Sequence, residues 1–133
     1  MNIRYTNERV FNQKQLEKLF LSVGWESGKY PERLTKALYN CADVFTAWDG
    51  DELVGLVNVL GDGELTAYVH YLLVNPNHQG LGIGTALIDM VKEKYNNYLR
   101  LFLLAENKEL VGYYEHLGFQ ADTQSTVMAY KER

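Results

Sequence analysis

The sequence predicts a mixed α/β or α+β fold in which helices cover one sheet. Apolar residues recur at three- and four-residue steps over 11–23 and 82–95, which is typical of amphipathic helices. Between these segments, residues 44–74 indicate three strands separated by the turns Asp49-Gly50-Asp51 and Gly61-Asp62-Gly63. After residue 74, helical and strand-like segments alternate. This alternation favours a fold in which the helices pack against the sheet.

The remaining elements follow from shorter signals. Pro31 suits the first turn of a helix, and Gly118 suits the position just after a helix ends. The elements predicted in this way are a strand over 2–6, helices over 32–40 and 107–117, a strand over 99–105, and one or two final strands over 119–130.

Length and charge bound the class of protein. A chain of 133 residues predicts a single domain over residues 1–133 that buries roughly two thirds of its unfolded surface. Its 13 basic and 17 acidic residues give a net charge of −4, and neither sign is clustered. A nucleic-acid partner is therefore not expected, whereas a mildly acidic surface suits a cationic small molecule.

Membrane and export segments are not expected either. The longest apolar run, Leu101–Ala105, is far shorter than the roughly 20 residues that span a bilayer. The first residues hold no apolar signal-peptide core, and the lone Cys41 cannot form an internal disulfide. The sequence therefore predicts a cytoplasmic protein with no membrane partner.

The most informative segment is a glycine-rich turn between a strand and a helix, Gln79-Gly80-Leu81-Gly82-Ile83-Gly84-Thr85. Such a turn leaves backbone N–H groups free at a helix N-terminus, where the helix dipole is positive. Without Cβ atoms, phosphate groups can approach the backbone closely. The turn predicts an anion site, and the alternative is a turn that only reverses the chain.

Two familiar phosphate motifs do not fit this turn. A P-loop requires Lys after its last glycine, but Gly84 is followed by Thr85. The dinucleotide pattern G-x-G-x-x-G fails whether it starts at Gly80 or at Gly82. However, Glu106 stands where a ribose-binding acid could lie, so a dinucleotide-binding protein stays open as an alternative.

Two motifs together resemble the GNAT superfamily of N-acetyltransferases. Residues 79–84 resemble its Q/R-x-x-G-x-G/A acyl-CoA motif, and residues 107–119 resemble its second signature, N-x-x-A-x-x-F-Y-x-x-x-G-F. Leu110 stands where that signature has a small residue, and Tyr113 where it has Phe. The resemblance implies a central, mostly antiparallel sheet of six to seven strands flanked by about four helices.

The resemblance also implies a reaction and a cofactor. The protein would move an acetyl group from acetyl-CoA to a primary amine of a small molecule, by direct attack in a ternary complex. Turn amides would hold the pyrophosphate, and the strand end before the turn would pair with pantetheine. Asn107 would bond the pantetheine arm, cap a helix, or do both. The residues expected to bind acetyl-CoA are Leu72, Leu73, Val74, Gln79, Gly80, Leu81, Gly82, Ile83, Gly84, Thr85 and Asn107.

The resemblance assigns Tyr114 as the general acid that protonates the leaving thiolate. At neutral pH only about one alkylamine in a thousand is the free base, so a base, a water chain or desolvation must supply that form. Strand alternation places His70 on one face with Leu72 and Val74, opposite Tyr71. His70 is the candidate base because imidazole titrates in the right range, although a histidine in a strand can also be only structural.

Other site expectations concern the acceptor, metals and assembly. Trp25 and Tyr30 are the candidate substrate-binding residues, since aromatic rings can surround an alkylammonium; they could equally cap the core. The three dispersed histidines give no metal-ligand spacing, and His78 is expected to face solvent or nucleotide. A homodimer could form through a final strand over 124–130. A CoA-binding sensor without turnover is the second alternative function.

Overall fold

A computed structural model describes residues 2–131, and its contacts divide the chain into two compact units after Leu103. The first unit holds the sheet and the second a single α-helix; the single domain expected over 1–133 stays a prediction. The strands are β1 (Arg4–Thr6), β2 (Asp43–Asp49), β3 (Glu52–Gly61), β4 (Thr66–Val74) and β5 (Arg100–Leu103), and the α-helices are α1 (Gln13–Ser22), α2 (Pro31–Asn40), α3 (Ile83–Lys94) and α4 (Lys108–His116). Two short 3-10 helices lie at Glu26–Lys29 and Pro76–His78.

The strands form one sheet in the order β1-β2-β3-β4-β5. Neighbouring strands pair antiparallel except β4 and β5, which are parallel because α3 connects them. This confirms the mixed α+β class, the mostly antiparallel sheet and the four helices. No helix in the described part of the chain is long and apolar enough to cross a membrane.

The prediction of six to seven strands is wrong for the described residues, in which the sheet has five. The strands expected over 119–130 are missing, since residues 119–131 adopt no strand. A strand needs a partner for its backbone N–H and C=O groups, and the described second unit contains none. Val127, Met128 and Tyr130 are accordingly exposed, at 67%, 90% and 106%.

Helices α1 and α2 cover one face of the sheet. Asn12 caps α1 in a capping box with Gln15, which satisfies two backbone donors at the helix start. The apolar stripe of α1 is buried as its periodicity predicts. The core cluster on this face consists of Phe11, Leu16, Leu19, Phe20, Leu34, Leu38, Cys41, Val44, Trp48, Leu53, Leu56 and Leu73.

The guanidinium of Arg9 closes the end of α2. It donates to the carbonyl oxygens of Leu38 and Tyr39, at 3.2 and 2.6 Å, and to those of Cys41 and Ala42, at 2.8 and 3.1 Å. The last carbonyls of a helix have no partner within the helix, and a cation there also interacts favourably with the helix dipole. Arg9 therefore ties the segment before α1 to the end of α2.

Cys41 lies buried just after α2. Its Sγ is 3.4 Å from the carbonyl oxygens of both Leu38 and Asp43. Burial raises the pKa of its thiol, because the thiolate would lose its hydration. The thiol therefore behaves as a small apolar core group.

Gly55 allows α3 to approach the sheet closely. A Cβ at this position of β3 would lie 2.8 Å from Ile83 Cγ2 and 3.3 Å from both Ala47 Cβ and Leu87 Cδ1. Ile83 is the first residue of α3 and is only 1% exposed. The missing side chain of Gly55 thus sets the height of the α3 N-terminus above the sheet.

Replacing Gly55 by alanine should lower the free energy of unfolding by about 1–3 kcal/mol, because overpacking forces neighbours to shift. Urea denaturation followed by circular dichroism would measure this. The control is Gly112→Ala, a change to the same residue in α4, where a Cβ would meet nothing within 4 Å. The control should not destabilise, since alanine is favoured over glycine in a helix by about 0.5–1 kcal/mol. Equal effects at both positions would contradict the packing argument.

Candidate active site

A β-bulge interrupts β4 in the middle of the strand. Val57 pairs with Leu72 and Val59 with Val69, so His70 and Tyr71 together face the single residue Asn58. The Oδ1 of Asn58, which is 2% exposed, accepts the backbone N–H of Tyr71 at 2.8 Å. The side chain of Asn58 therefore satisfies a donor that the interrupted ladder cannot.

The bulge interrupts the alternation of side chains that was expected along β4. The rings of His70 and Tyr71 stack with centroids 4.0 Å apart and an angle of 24° between their planes. Neighbouring residues of a regular strand point to opposite faces, whereas these two rings lie side by side. The prediction that placed His70 and Tyr71 on opposite faces was wrong at this point.

The second half of β4 lies beyond its pairing with β5. The two strands pair from Thr66 with Arg100 to Val69 with Leu103, where β5 ends. Residues 70–74, which include the predicted pantetheine contacts Leu72, Leu73 and Val74, therefore extend past β5. Backbone groups along such an edge can pair with an extended ligand that carries amides.

The glycine turn follows β4 and the short helix Pro76–His78. Gly80 and Gly82 have φ of +82° and +78°, the left-handed region that glycine enters without penalty. Gly82 is the N-cap of α3, and no side chain caps this helix. The side-chain Nε2 of Gln79 lies 3.5 Å from the carbonyl oxygen of Val74, at the outer limit of a hydrogen bond.

The uncapped start of α3 contrasts with the other helices. Asparagine side chains cap α1 and α4, and α2 begins with a proline, which has no N–H to satisfy. The first N–H groups of an α-helix have no partner within the helix. The positive dipole end and the backbone donors at a helix start favour phosphate binding. That residues 79–85 hold the diphosphate of CoA stays a prediction.

The segment before the turn is anchored by two buried residues, Asn75 and His78. Asn75 donates its backbone N–H to Val54 at 2.8 Å and accepts that of His78 at 2.8 Å. His78 is 7% exposed, and its Nε2 lies 3.1 Å from Oδ2 of Asp49. The expectation that His78 faces solvent or nucleotide is therefore wrong.

His78 also belongs to a group of three potential metal ligands. Ligand atoms of Asp49, Glu52 and His78 lie within 4.8 Å of one another, the one such group in the part of the chain that the structure describes. Sequence spacing gave no sign of it, because the hairpin and the turn meet only in the fold. Lys18 pairs with Glu52 at 3.5 Å, so an ammonium already competes with any cation for that carboxylate.

The aromatic rings around His70 form one continuous group. Tyr71 contacts Phe20 and Trp25, with centroids 5.0 and 5.8 Å away, and its hydroxyl is 2.7 Å from Oγ of Ser27. Partial burial lowers the pKa of His70 from its ordinary value, since the imidazolium loses hydration. Sequence analysis missed Tyr71 because regular alternation assigned it to the other face.

The two predicted acceptor-binding residues separate in the fold. Trp25 is half-buried and packs between Phe20 and Tyr71, so the structure brings it to the same aromatic group as His70. Tyr30 is 42% exposed and lies under the guanidinium of Arg33, 5.9 Å from its ring centroid. Only Trp25 of the pair joins this group.

In the second unit, Asn107 is the N-cap of α4. Its Oδ1 accepts the backbone N–H of Leu110 at 2.9 Å, which satisfies one of the free donors at the helix start. The capping interpretation of Asn107 is confirmed. A bond from Asn107 to pantetheine stays a prediction.

Tyr114 lies on α4 among other aromatic rings. It is half-buried, with its ring edge-on to those of Tyr113 and Phe119 at 5.2 and 5.8 Å. Burial, and then the nearby Tyr113 and Glu106, raise its pKa to about 12. The phenol therefore keeps its proton at neutral pH and can only donate it.

Comparisons with known proteins agree with this geometry. A GNAT-family acetyltransferase from Streptococcus pneumoniae superposes with a TM-score of 0.85 and 28% identity, over 99% of both chains. An uncharacterized N-acetyltransferase of Pyropia yezoensis is 27% identical over 91% of this chain and 72% of its own. A mycothiol acetyltransferase of Corynebacterium efficiens is 28% identical over 72% of this chain and 34% of its own.

The fold, the extended end of β4 and the glycine turn together define a class of acyl-transferring proteins. The members of this class form one family. The chain matches the Acetyltransferase (GNAT) family over residues 11–119, which is more than half of its length. The chain therefore belongs to the GNAT family of acetyltransferases. The resemblance inferred from the two motifs is confirmed.

Replacing Gly82 by alanine should lower the free energy of unfolding by about 1 kcal/mol, because an L-residue in the left-handed region costs roughly that much. A Cβ there would meet no atom within 4 Å, so crowding adds nothing. Chemical denaturation of the two proteins side by side would measure the difference. Identical stability would contradict the left-handed conformation at this N-cap.

Proposed function

We propose that the protein is an acetyl-CoA-dependent N-acetyltransferase that acts on a primary amine of a small molecule. Membership of the GNAT family supports the reaction class. One observation carries the proposal. The end of β4 extends past β5, and the chain leads from there, within a few residues, to the uncapped start of α3. Together they offer amide pairing to pantetheine and backbone donors to a diphosphate.

Each part of the cofactor site has its own residues. Backbone groups of Leu72, Leu73 and Val74 would pair with pantetheine, and residues 79–85 would hold the diphosphate, with Asn107 as an additional contact. Bound acetyl-CoA supplies the acetyl group as an activated thioester. A backbone N–H near the end of β4 could also polarise the thioester carbonyl.

The amine must lose its proton before it attacks. His70 is the proposed general base, since it is the imidazole beside the aromatic group and its lowered pKa keeps it neutral at physiological pH. Attack and collapse form the amide and release the thiolate. Tyr114 then gives its phenolic proton to the thiolate, provided that the site is dry enough to raise the basicity of the thiolate.

The small size of the acceptor is also part of the proposal. Trp25 offers an aromatic face to an alkylammonium, and Tyr30 is retained as a peripheral candidate. A net charge of −4 favours a cationic acceptor over nucleic acid or anionic lipid. The cytoplasmic location and the homodimer stay predictions.

A thiol-release screen of amines against acetyl-CoA tests the proposal. Release of free CoA that depends on one class of small amine is the expected result. Calorimetric titrations with acetyl-CoA and NAD separate the alternatives. Binding of acetyl-CoA without turnover of any amine would favour a sensor, and binding of NAD alone would overturn the cofactor assignment.

Replacing His70 by alanine should change the pH dependence of kcat/KM. Because His70 takes the proton of the alkylammonium, the rate follows the fraction of neutral His70, so log kcat/KM of wild type rises with a slope of about one below the pKa of His70 and levels off above it. His70→Ala should show a slope of about one throughout and a rate lower by roughly 10²-fold or more. A profile of His70→Ala that levels off at the same pH as that of wild type would remove His70 from the role of base.

Replacing Tyr114 by phenylalanine should lower kcat by roughly 10²-fold or more, because it removes the proton donor, and leave the Kd of acetyl-CoA within about twofold. A pKa of about 12 also predicts that Tyr114 causes no loss of wild-type activity up to about pH 10. Tyr113→Phe is the matched control, since it deletes the neighbouring hydroxyl. Equal effects of the two substitutions would exclude a specific role for Tyr114.

A further inference from the structure

The exposed glycine turn is preceded by a segment that is anchored by two buried residues, Asn75 and His78. Leu81 is 51% exposed, whereas Asn75 and His78, a few residues earlier, are 6% and 7% exposed. A glycine-rich turn can adopt many backbone conformations, because glycine enters both the negative and the positive φ regions. A turn that binds through backbone donors must therefore be held in shape by what flanks it, because disorder before binding reduces affinity.

The two sides of the turn are held differently. On the α3 side, Ile83 is buried against the sheet beside Gly55. On the β4 side, the backbone of Asn75 bonds to Val54, and the Oδ1 of Asn75 accepts the N–H of Asn77. Beyond this point, the side chain of His78 contacts Asp49 in the hairpin, two residues before Gly80.

The chemistry of this contact makes it directional. An ionised carboxylate only accepts hydrogen bonds, so Nε2 of His78 is the donor to Oδ2 of Asp49. The other ring nitrogen, Nδ1, is buried and has no partner within the described residues. Asp49 is the last residue of β2 and pairs with Glu52 across the hairpin. The imidazole is thus tied to the paired end of the β2–β3 hairpin through a single charge-assisted bond.

We propose that His78 and Asp49 are positioning residues for the cofactor-binding turn, an inference that rests on the proposed function. Their bond fixes the end of the 3-10 helix Pro76–His78, two residues before Gly80, and so sets the direction in which the turn leaves the sheet. Neither side chain takes part in the chemistry. The pair acts on cofactor affinity through the backbone of residues 79–82.

The test measures the Kd of acetyl-CoA by calorimetry, together with kcat at saturating cofactor and the melting temperature. Asp49→Ala leaves the buried imidazole without its acceptor and should raise the Kd about tenfold, with kcat within about twofold of wild type. Asp49→Asn keeps an accepting oxygen and should restore the Kd to within about threefold. Asp51→Ala, which removes an exposed carboxylate of the same hairpin, is the matched control and should bind like wild type.

The outcomes distinguish a failure of the positioning role from a failure of the proposed function. A lower melting temperature for Asp49→Ala with an unchanged Kd would show a purely structural contact and overturn the positioning role. Failure of Asp49→Asn to recover affinity would also overturn it. His78→Ala need not fold for the test to hold, since the Asp49 series carries it. Absence of acetyl-CoA binding by the wild type would instead overturn the proposed function itself.

Discussion

The hydrogen bond from the backbone of Tyr71 to the buried side chain of Asn58 is the interaction on which the candidate site depends. It stabilises a bulge, and bulges bend a strand and increase its twist. Pairing with β5 stops at Val69, just before the bulge. The same local insertion places the rings of His70 and Tyr71 side by side. The bulge that this buried amide stabilises thus lies where the pairing of β4 with β5 ends, next to the aromatic group.

The turn that follows β4 is rich in glycine, but buried residues anchor both of its ends. Its glycines are needed for the left-handed conformation and for close approach of a ligand. The same lack of side chains makes an isolated glycine-rich segment flexible. Buried residues on each side, His78 before it and Ile83 after it, restrict that freedom. Close packing at Gly55 and the contact with Asp49 act at opposite ends of the same short segment.

Features with a local signature could be predicted from the sequence, and features formed by distant residues could not. The glycine turn, the hairpin around Gly50 and the cap at Asn107 each depend on a few adjacent residues. The bulge could not be predicted, because the residue that holds it, Asn58, lies in another strand. His78 was misplaced for the same reason. The strands expected over 119–130 failed because strand-forming composition supplies no pairing partner.

The buried cysteine has a practical consequence for assays of this enzyme family. Reagents that quantify liberated coenzyme react with thiolates, and a raised pKa together with burial keeps Cys41 protonated and shielded near neutral pH. The native chain should therefore contribute little background colour in such measurements. A slow increase in signal from the protein without acetyl-CoA would then report partial opening of the core around the end of α2.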